Sequence, residues 1–228
     1  MVVRVNMNRP TKKQTKSKQR VADYGEVFTA EREVNAMLDL VKQETERIES
    51  RFLEPACGHG NFLAEILRRK LVVVKSRYGR HAADYERYAV IAATSIYGVD
   101  ILQDNVDECR RRMFEIWDEE YTAVCRKEAN DDCREAVRYI LRHNILCGDA
   151  LTLRQADGTP IIFAEWSAVN GCLIKRRDFR LDQMLERHER QMSLFMADGR
   201  FGEKIEGSIP LPIREFAPIH YRRVQDNG

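Results

Sequence analysis

One stretch, Phe52-Leu53-Glu54-Pro55-Ala56-Cys57-Gly58-His59-Gly60-Asn61-Phe62, limits the folds open to this chain more than any other. A short apolar run enters a turn with two glycines. It leaves with Phe62, Leu63, Ile66 and Leu67 spaced along one helical face. That is a strand, a tight turn and a helix. Glycines let the backbone turn sharply and let a ligand approach without a Cβ in the way. The helix beyond the turn offers N–H groups with no intrahelical partner. A Gly-x-Gly turn alone is as readily a plain connection as a binding loop. Its meaning depends on the rest of the chain.

Helices and strands alternate around this turn. Thr29 reads as an N-cap, and Val34, Met37, Leu38 and Val41 predict an amphipathic helix over 30–48 before the first strand, 51–54. Residues 71–90 read as helix with a break near Gly79. Ser95–Val99 is a second strand ending at Asp100. Val106, Cys109, Met113, Ile116 and Trp117 mark a helix over 102–120, and Ala136, Val137, Ile140 and Leu141 mark another over 131–142. Asn144–Cys147 and Pro160–Phe163 are the third and fourth strands. The expected fold class is therefore α/β: a Rossmann-like, mostly parallel sheet with helices on both faces, truncated after the fourth strand. Such sheets bind ligands at the carboxyl ends of their strands.

The flanks differ. Residues 1–20 hold seven Lys or Arg and no acid, which predicts a disordered basic arm. Such an arm is a solvated tail or a tracker of phosphates. The domain is expected over 21–166, and 167–228 as a loosely structured extension with one helix marked by Leu181, Met184, Leu185, His188, Met192 and Phe195. Lys175-Arg176-Arg177 reads as a solvated loop that could touch phosphate. No apolar run reaches the roughly 18 residues of a membrane span. The six cysteines form no C-x-x-C pair and no histidines cluster beside them, so no metal site is expected, and a cytoplasmic chain with reduced thiols is.

The acids carry the chemistry. Asp100 stands at the end of the second strand, where a carboxylate can accept two ribose hydroxyls. Ile101 beside it could pack on an adenine ring. Asp149 comes after the third strand, where it could accept an adenine amino group. Either acid alone is equally a strand-end turn residue. Asp100 lies 40 residues past Gly60 rather than about 20, so 70–90 reads as an insertion.

In combination these residues resemble the S-adenosylmethionine (SAM)-dependent DNA adenine-N6 methyltransferases of restriction–modification systems. Gly25-Glu26-Val27-Phe28-Thr29 is similar to the family's Phe-Thr-Pro element, with Ala30 in place of proline. Phe52–Phe62 is similar to its glycine motif, Gly98–Ile101 to its ribose and adenine element, and Asn144–Leu151 to its third element. The resemblance spans residues 21–163. It implies SAM held by Thr29, Glu54, Ala56, Gly58, Gly60, Asp100, Ile101 and Asp149. It also implies methyl transfer to a flipped adenine.

The family's catalytic Asn/Asp-Pro-Pro-Tyr/Phe is absent. Ala164-Glu165-Trp166-Ser167 stands where it is expected, so Glu165 as hydrogen-bond acceptor and Trp166 as stacking ring are the candidate catalytic pair. Their bland alternatives are a surface acid and a packed aromatic. No element for reading base edges is visible, so DNA recognition is expected from a second subunit. A SAM-binding subunit without turnover and a scaffold that has lost its cofactor are the competing readings.

Overall fold

A computed structural model describes residues 17–24, 26–184 and 211–227. The fold is mixed α/β. The described residues form seven helices: α1 (Lys18–Tyr24), α2 (Glu31–Asp39), α3 (Lys42–Thr45), α4 (Asn61–Tyr78), α5 (Ala82–Thr94), α6 (Gln103–Cys125) and α7 (Asp131–Asn144). Strands β1 (Phe52–Glu54), β2 (Ile96–Asp100) and β3 (Ile145–Cys147) make a parallel sheet in the order β1-β2-β3. Strands β4 (Ile162–Ala168), β5 (Leu173–Arg180), β6 (Arg214–Glu215) and β7 (Ile219–His220) make a second, antiparallel sheet.

The helices form because their apolar residues recur at 3.6-residue spacing. In α6 the buried row is Val106, Cys109, Met113, Trp117, Tyr121 and Cys125. In α7 it is Cys133, Ala136, Val137, Ile140 and Leu141. The α7 N-terminus is capped by Asn130, whose side chain accepts the N–H groups of Asp132 and Cys133. Rows from α4 through α7 merge into one core with Ile96 and Ile145. The expected break at Gly79 is where α4 ends.

Strand β2 is buried along its whole length. Its side chains alternate between faces. A Cβ on Gly98 would lie 2.7 Å from a Leu63 methyl and 3.0 Å from the Cys57 sulfur, so glycine there lets α4 and the glycine turn press against the strand. Tyr97 and Val99 point the other way and pack with Ile161, Phe163 and Leu181. Helices were expected on both faces. Instead this second face meets residues at the start of the β4–β5 hairpin.

The fourth strand is thus a correction. It does not extend the parallel sheet but pairs antiparallel with β5, from Ile162↔Arg180 to Ala168↔Ile174. The region after 166 is not loosely structured where it is described. The β5 residues Arg176 and Asp178 form a buried ion pair at 2.7 Å, so Lys175-Arg176-Arg177 is strand and not a solvated loop. The C-terminal turn Tyr221–Asn227 docks through the Tyr221 hydroxyl and the Arg222 guanidinium, both on the buried carboxylate of Glu86. Of the expected helix at 181–195, only Leu181–Met184 falls within the described residues.

Two other expectations change. The helix over 30–48 is broken at Leu40 and Val41, both exposed, and Thr45 and Ile48 are the buried positions beyond the break. Ala30, not Thr29, is the N-cap of α2; it has no capping side chain, and its N–H is taken by Glu33 at 3.2 Å. The end of the basic arm is helical: α1 starts at Lys18, and residues 1–16 lie outside the described residues. No helix among the described residues is long and apolar enough to cross a membrane.

Asn144 ties the sheet to the hairpin. Its amide donates to the carbonyls of Thr94 (3.2 Å) and Ile96 (3.1 Å), and its oxygen accepts Trp166 Nε1–H at 2.8 Å. All of these groups are buried, so Asn144→Leu strands an indole N–H and two carbonyls. Such a change is expected to cost about 2–3 kcal/mol in urea unfolding. A loss under about 0.5 kcal/mol would show that water or rearrangement replaces these bonds.

Candidate functional site

The three parallel strands bring Glu54, Asp100 and the Gly148-Asp149 turn to the same end of the sheet. There a cleft of about 550 Å³ opens, lined by residues that include Val27–Thr29, Glu54–His59, Asp100–Leu102 and Gly148–Leu151. Seven of the eight candidate cofactor residues line it: Thr29, Glu54, Ala56, Gly58, Asp100, Ile101 and Asp149. They come from four separate segments of the chain.

Gly60, the eighth, does not line the cleft. It is the N-cap of α4 with φ +82°, and a Cβ there would lie 2.6 Å from the Cys109 sulfur. Its work is to let the turn pack against α6. No side chain caps α4, and no acid stands in its first turn, so the helix start keeps its positive end for whatever enters the cleft.

Asp100 is buried and holds the turn in place. Its Oδ2 accepts the Gly58 N–H at 2.8 Å, and its Oδ1 accepts the Leu102 N–H at 3.0 Å and the Asn105 amide at 3.1 Å. A carboxylate has about four acceptor positions, so roughly one remains for a ligand hydroxyl. Asp149 accepts the Leu151 N–H at 2.8 Å and the Thr152 hydroxyl at 3.0 Å. These bonds, that of Leu151 foremost, hold its carboxyl below the usual range. It is therefore ionised at neutral pH and acts only as an acceptor. Glu54 sits partly exposed, bonded to the Ala56 N–H at 3.3 Å.

Much of the rest of the wall is apolar or aromatic. Phe28 packs its ring 3.8 Å from that of His59. Asn61 reaches the Thr29 carbonyl at 2.8 Å and fastens the N-terminal segment to the glycine turn. Ile101 (53% exposed) and Leu151 (94%) stand open at the rim, suited to a flat ring. The Cys57 thiol is held well above its ordinary range by its bond to Cys109 and by burial, so it is no nucleophile.

Charge narrows the choice of ligand. Four acids line the cleft, Glu26, Glu54, Asp100 and Asp149, and no Lys or Arg among the described residues does. No side chain that would grip a phosphate is therefore in this lining, and the uncapped start of α4 is what it offers an anion. Sequence reasoning missed Glu26 and Asn105 as wall residues; their roles come from pairing with Arg20 and Asp100, which no local pattern encodes.

The candidate catalytic pair lies elsewhere. Trp166 is 6% exposed and bonded to Asn144, the residue before β3. Glu165 is ion-paired with Arg51, the residue before β1, and with Arg177 at 2.8 Å. Burial raises its pKa, but Arg51, Ser167 and Arg177 outweigh that and hold it below the usual range. Both residues therefore sit at the amino ends of the parallel strands, and the cleft is at the carboxyl ends, roughly 13 Å away along β2 at about 3.3 Å per residue. They form no acceptor-and-stacking pair at the cleft.

Set against known protein families, curated proteins and solved structures, the chain matches none.

The tight fit at Gly60 gives a direct check. Gly60→Ala puts a side chain in the left-handed region, at about 1–2 kcal/mol, and drives it into Cys109. Adding Cys109→Ala removes the obstacle. The double variant is expected to melt above Gly60→Ala alone in a thermal scan; equal or lower melting would show that Cys109 is not what Gly60 accommodates.

Proposed function

We propose that this chain is the cofactor-binding part of a SAM-dependent DNA adenine-N6 methyltransferase, with DNA recognition and the acceptor side supplied by a partner chain. The observation that carries the reading is the acid-lined cleft at the carboxyl ends of a parallel sheet, entered by a Gly-x-Gly turn and with no Lys or Arg in its lining among the described residues. SAM has an adenosine, a sulfonium and an amino-acid tail, and no phosphate. In this reading the sheet is the first half of a Rossmann-like arrangement.

Each wall group then has work. Asp100 Oδ2 takes a ribose hydroxyl, Asp149 accepts the adenine amino group, and Ile101 and Leu151 cover the ring. Glu54 and Thr29 face the amino-acid end, and its carboxylate lies toward the uncapped start of α4. Bound SAM supplies an electrophilic methyl group. The chain contributes orientation and exclusion of water. It offers no hydrogen-bond acceptor for an adenine amino group at Glu165 or Trp166. That placement also favours a second reading, a SAM-binding subunit without turnover.

Calorimetric titration with SAM tests the proposal. Saturable binding is expected, with stabilisation of about 2.7 kcal/mol at a hundredfold excess over Kd. Ile101→Lys, at an exposed rim position, is expected to weaken it about tenfold by taking away the apolar cover of the adenine ring. Trp166→Phe is expected to leave affinity within about twofold. No heat and no thermal shift at millimolar SAM would refute the reading. Methyl transfer to DNA with a partner chain, against none under any pairing, separates the enzyme from the silent subunit.

A further inference from the structure

The cleft's central carboxylate is tied to the N-terminal segment by a chain of polar contacts. Arg20, on α1, grips Glu26 with Nε to Oε2 and Nη2 to Oε1, each at 2.8 Å. Its other contacts are Asp104 at 2.7 and 3.1 Å and the Asn105 oxygen at 3.4 Å. Glu26 Oε1 accepts one hydrogen of the Asn105 amide at 2.7 Å, and the other goes to Asp100 Oδ1 at 3.1 Å. Asp100 in turn accepts the Gly58 N–H. Asn105 is 1% exposed and the Glu26 side chain 7%.

We propose that Asn105 is a positioning residue that transmits docking of the Arg20–Glu26 segment to Asp100 and the glycine turn. The Asn105 amide donates to both carboxylates at once, so Glu26 orients it and it holds the Asp100 carboxylate together with the Gly58 and Leu102 N–H groups. The Glu26 side chain is largely buried, and Arg20 pairs with it through both carboxylate oxygens. When Arg20 docks, the relay is complete and Asp100 Oδ2 faces the cleft. When it does not, Glu26 loses this ion pair and the Asn105 amide loses a fixed anchor. A first-contact group held this way depends on its supporting bonds. The ligand consequence rests on the SAM reading; the relay itself does not.

Two arms of one experiment decide it, on the full chain, Arg20→Ala, Asn105→Ala and the double variant. The first is hydrogen exchange at the Gly58 and Leu102 amides without ligand. Faster exchange in both single variants is expected, although Arg20 touches neither amide. Unchanged exchange at Gly58 in Arg20→Ala would overturn the relay. The second arm is SAM titration. Asn105→Ala is expected to weaken binding about tenfold and Arg20→Ala about fivefold, and the double variant to match Asn105→Ala alone. Additive losses would overturn transmission through Asn105. If the unaltered chain binds no SAM, the SAM reading fails by itself and the exchange arm alone decides the relay.

Discussion

The carboxylate of Asp100 organises this molecule. It is buried, and a buried charge is tolerated only when hydrogen bonds replace its water. Three donors do so: the Gly58 N–H from the turn, the Leu102 N–H from the start of α6, and the Asn105 amide one helical turn on. One side chain thereby joins the end of β2 to the loop after β1 and to the next helix. Gly98 brings the same parts close from the other side, since any Cβ there would meet Leu63 and Cys57. The cleft has its shape because these constraints leave the turn one place to go. The cost of the arrangement is that Asp100 has little acceptor capacity left for a ligand.

Much of this could be seen in the residues alone. The rows Val106–Cys125 and Cys133–Leu141 are helical periodicities that no other structure accommodates. The strand ends were legible because each strand is short and stops at a glycine or an acid. Six of the eight cofactor candidates line one cleft for that reason, since in a parallel sheet successive strand ends come together by topology, and Thr29 joins them through the Asn61 bond to its carbonyl. Gly60 stands outside that lining and packs against Cys109; a glycine required for packing and one required for a ligand look the same in sequence.

What lay beyond local pattern was long-range pairing. The β4–β5 hairpin hides its inward face behind charge: Arg176 and Asp178 are buried there as a pair, so the alternation reads as a polar loop. Lys70 does the same in α4, buried with its ammonium on the Ile48 and Ser50 carbonyls and the Ser95 hydroxyl. Glu165 and Trp166 lie on the strand expected to carry the acceptor side, but Asn144 and Arg51 draw them to the opposite end of the sheet. The result is a cleft at one end of the parallel sheet and the Glu165–Trp166 pair at the other.

A crystal structure of the chain with S-adenosylhomocysteine is the sharpest check on this reading of the cleft. Density is expected between the strand ends, with a ribose hydroxyl on Asp100 Oδ2, the adenine edge toward Asp149 and its ring against Ile101. Density at any other place, or a ribose that avoids Asp100, would contradict it.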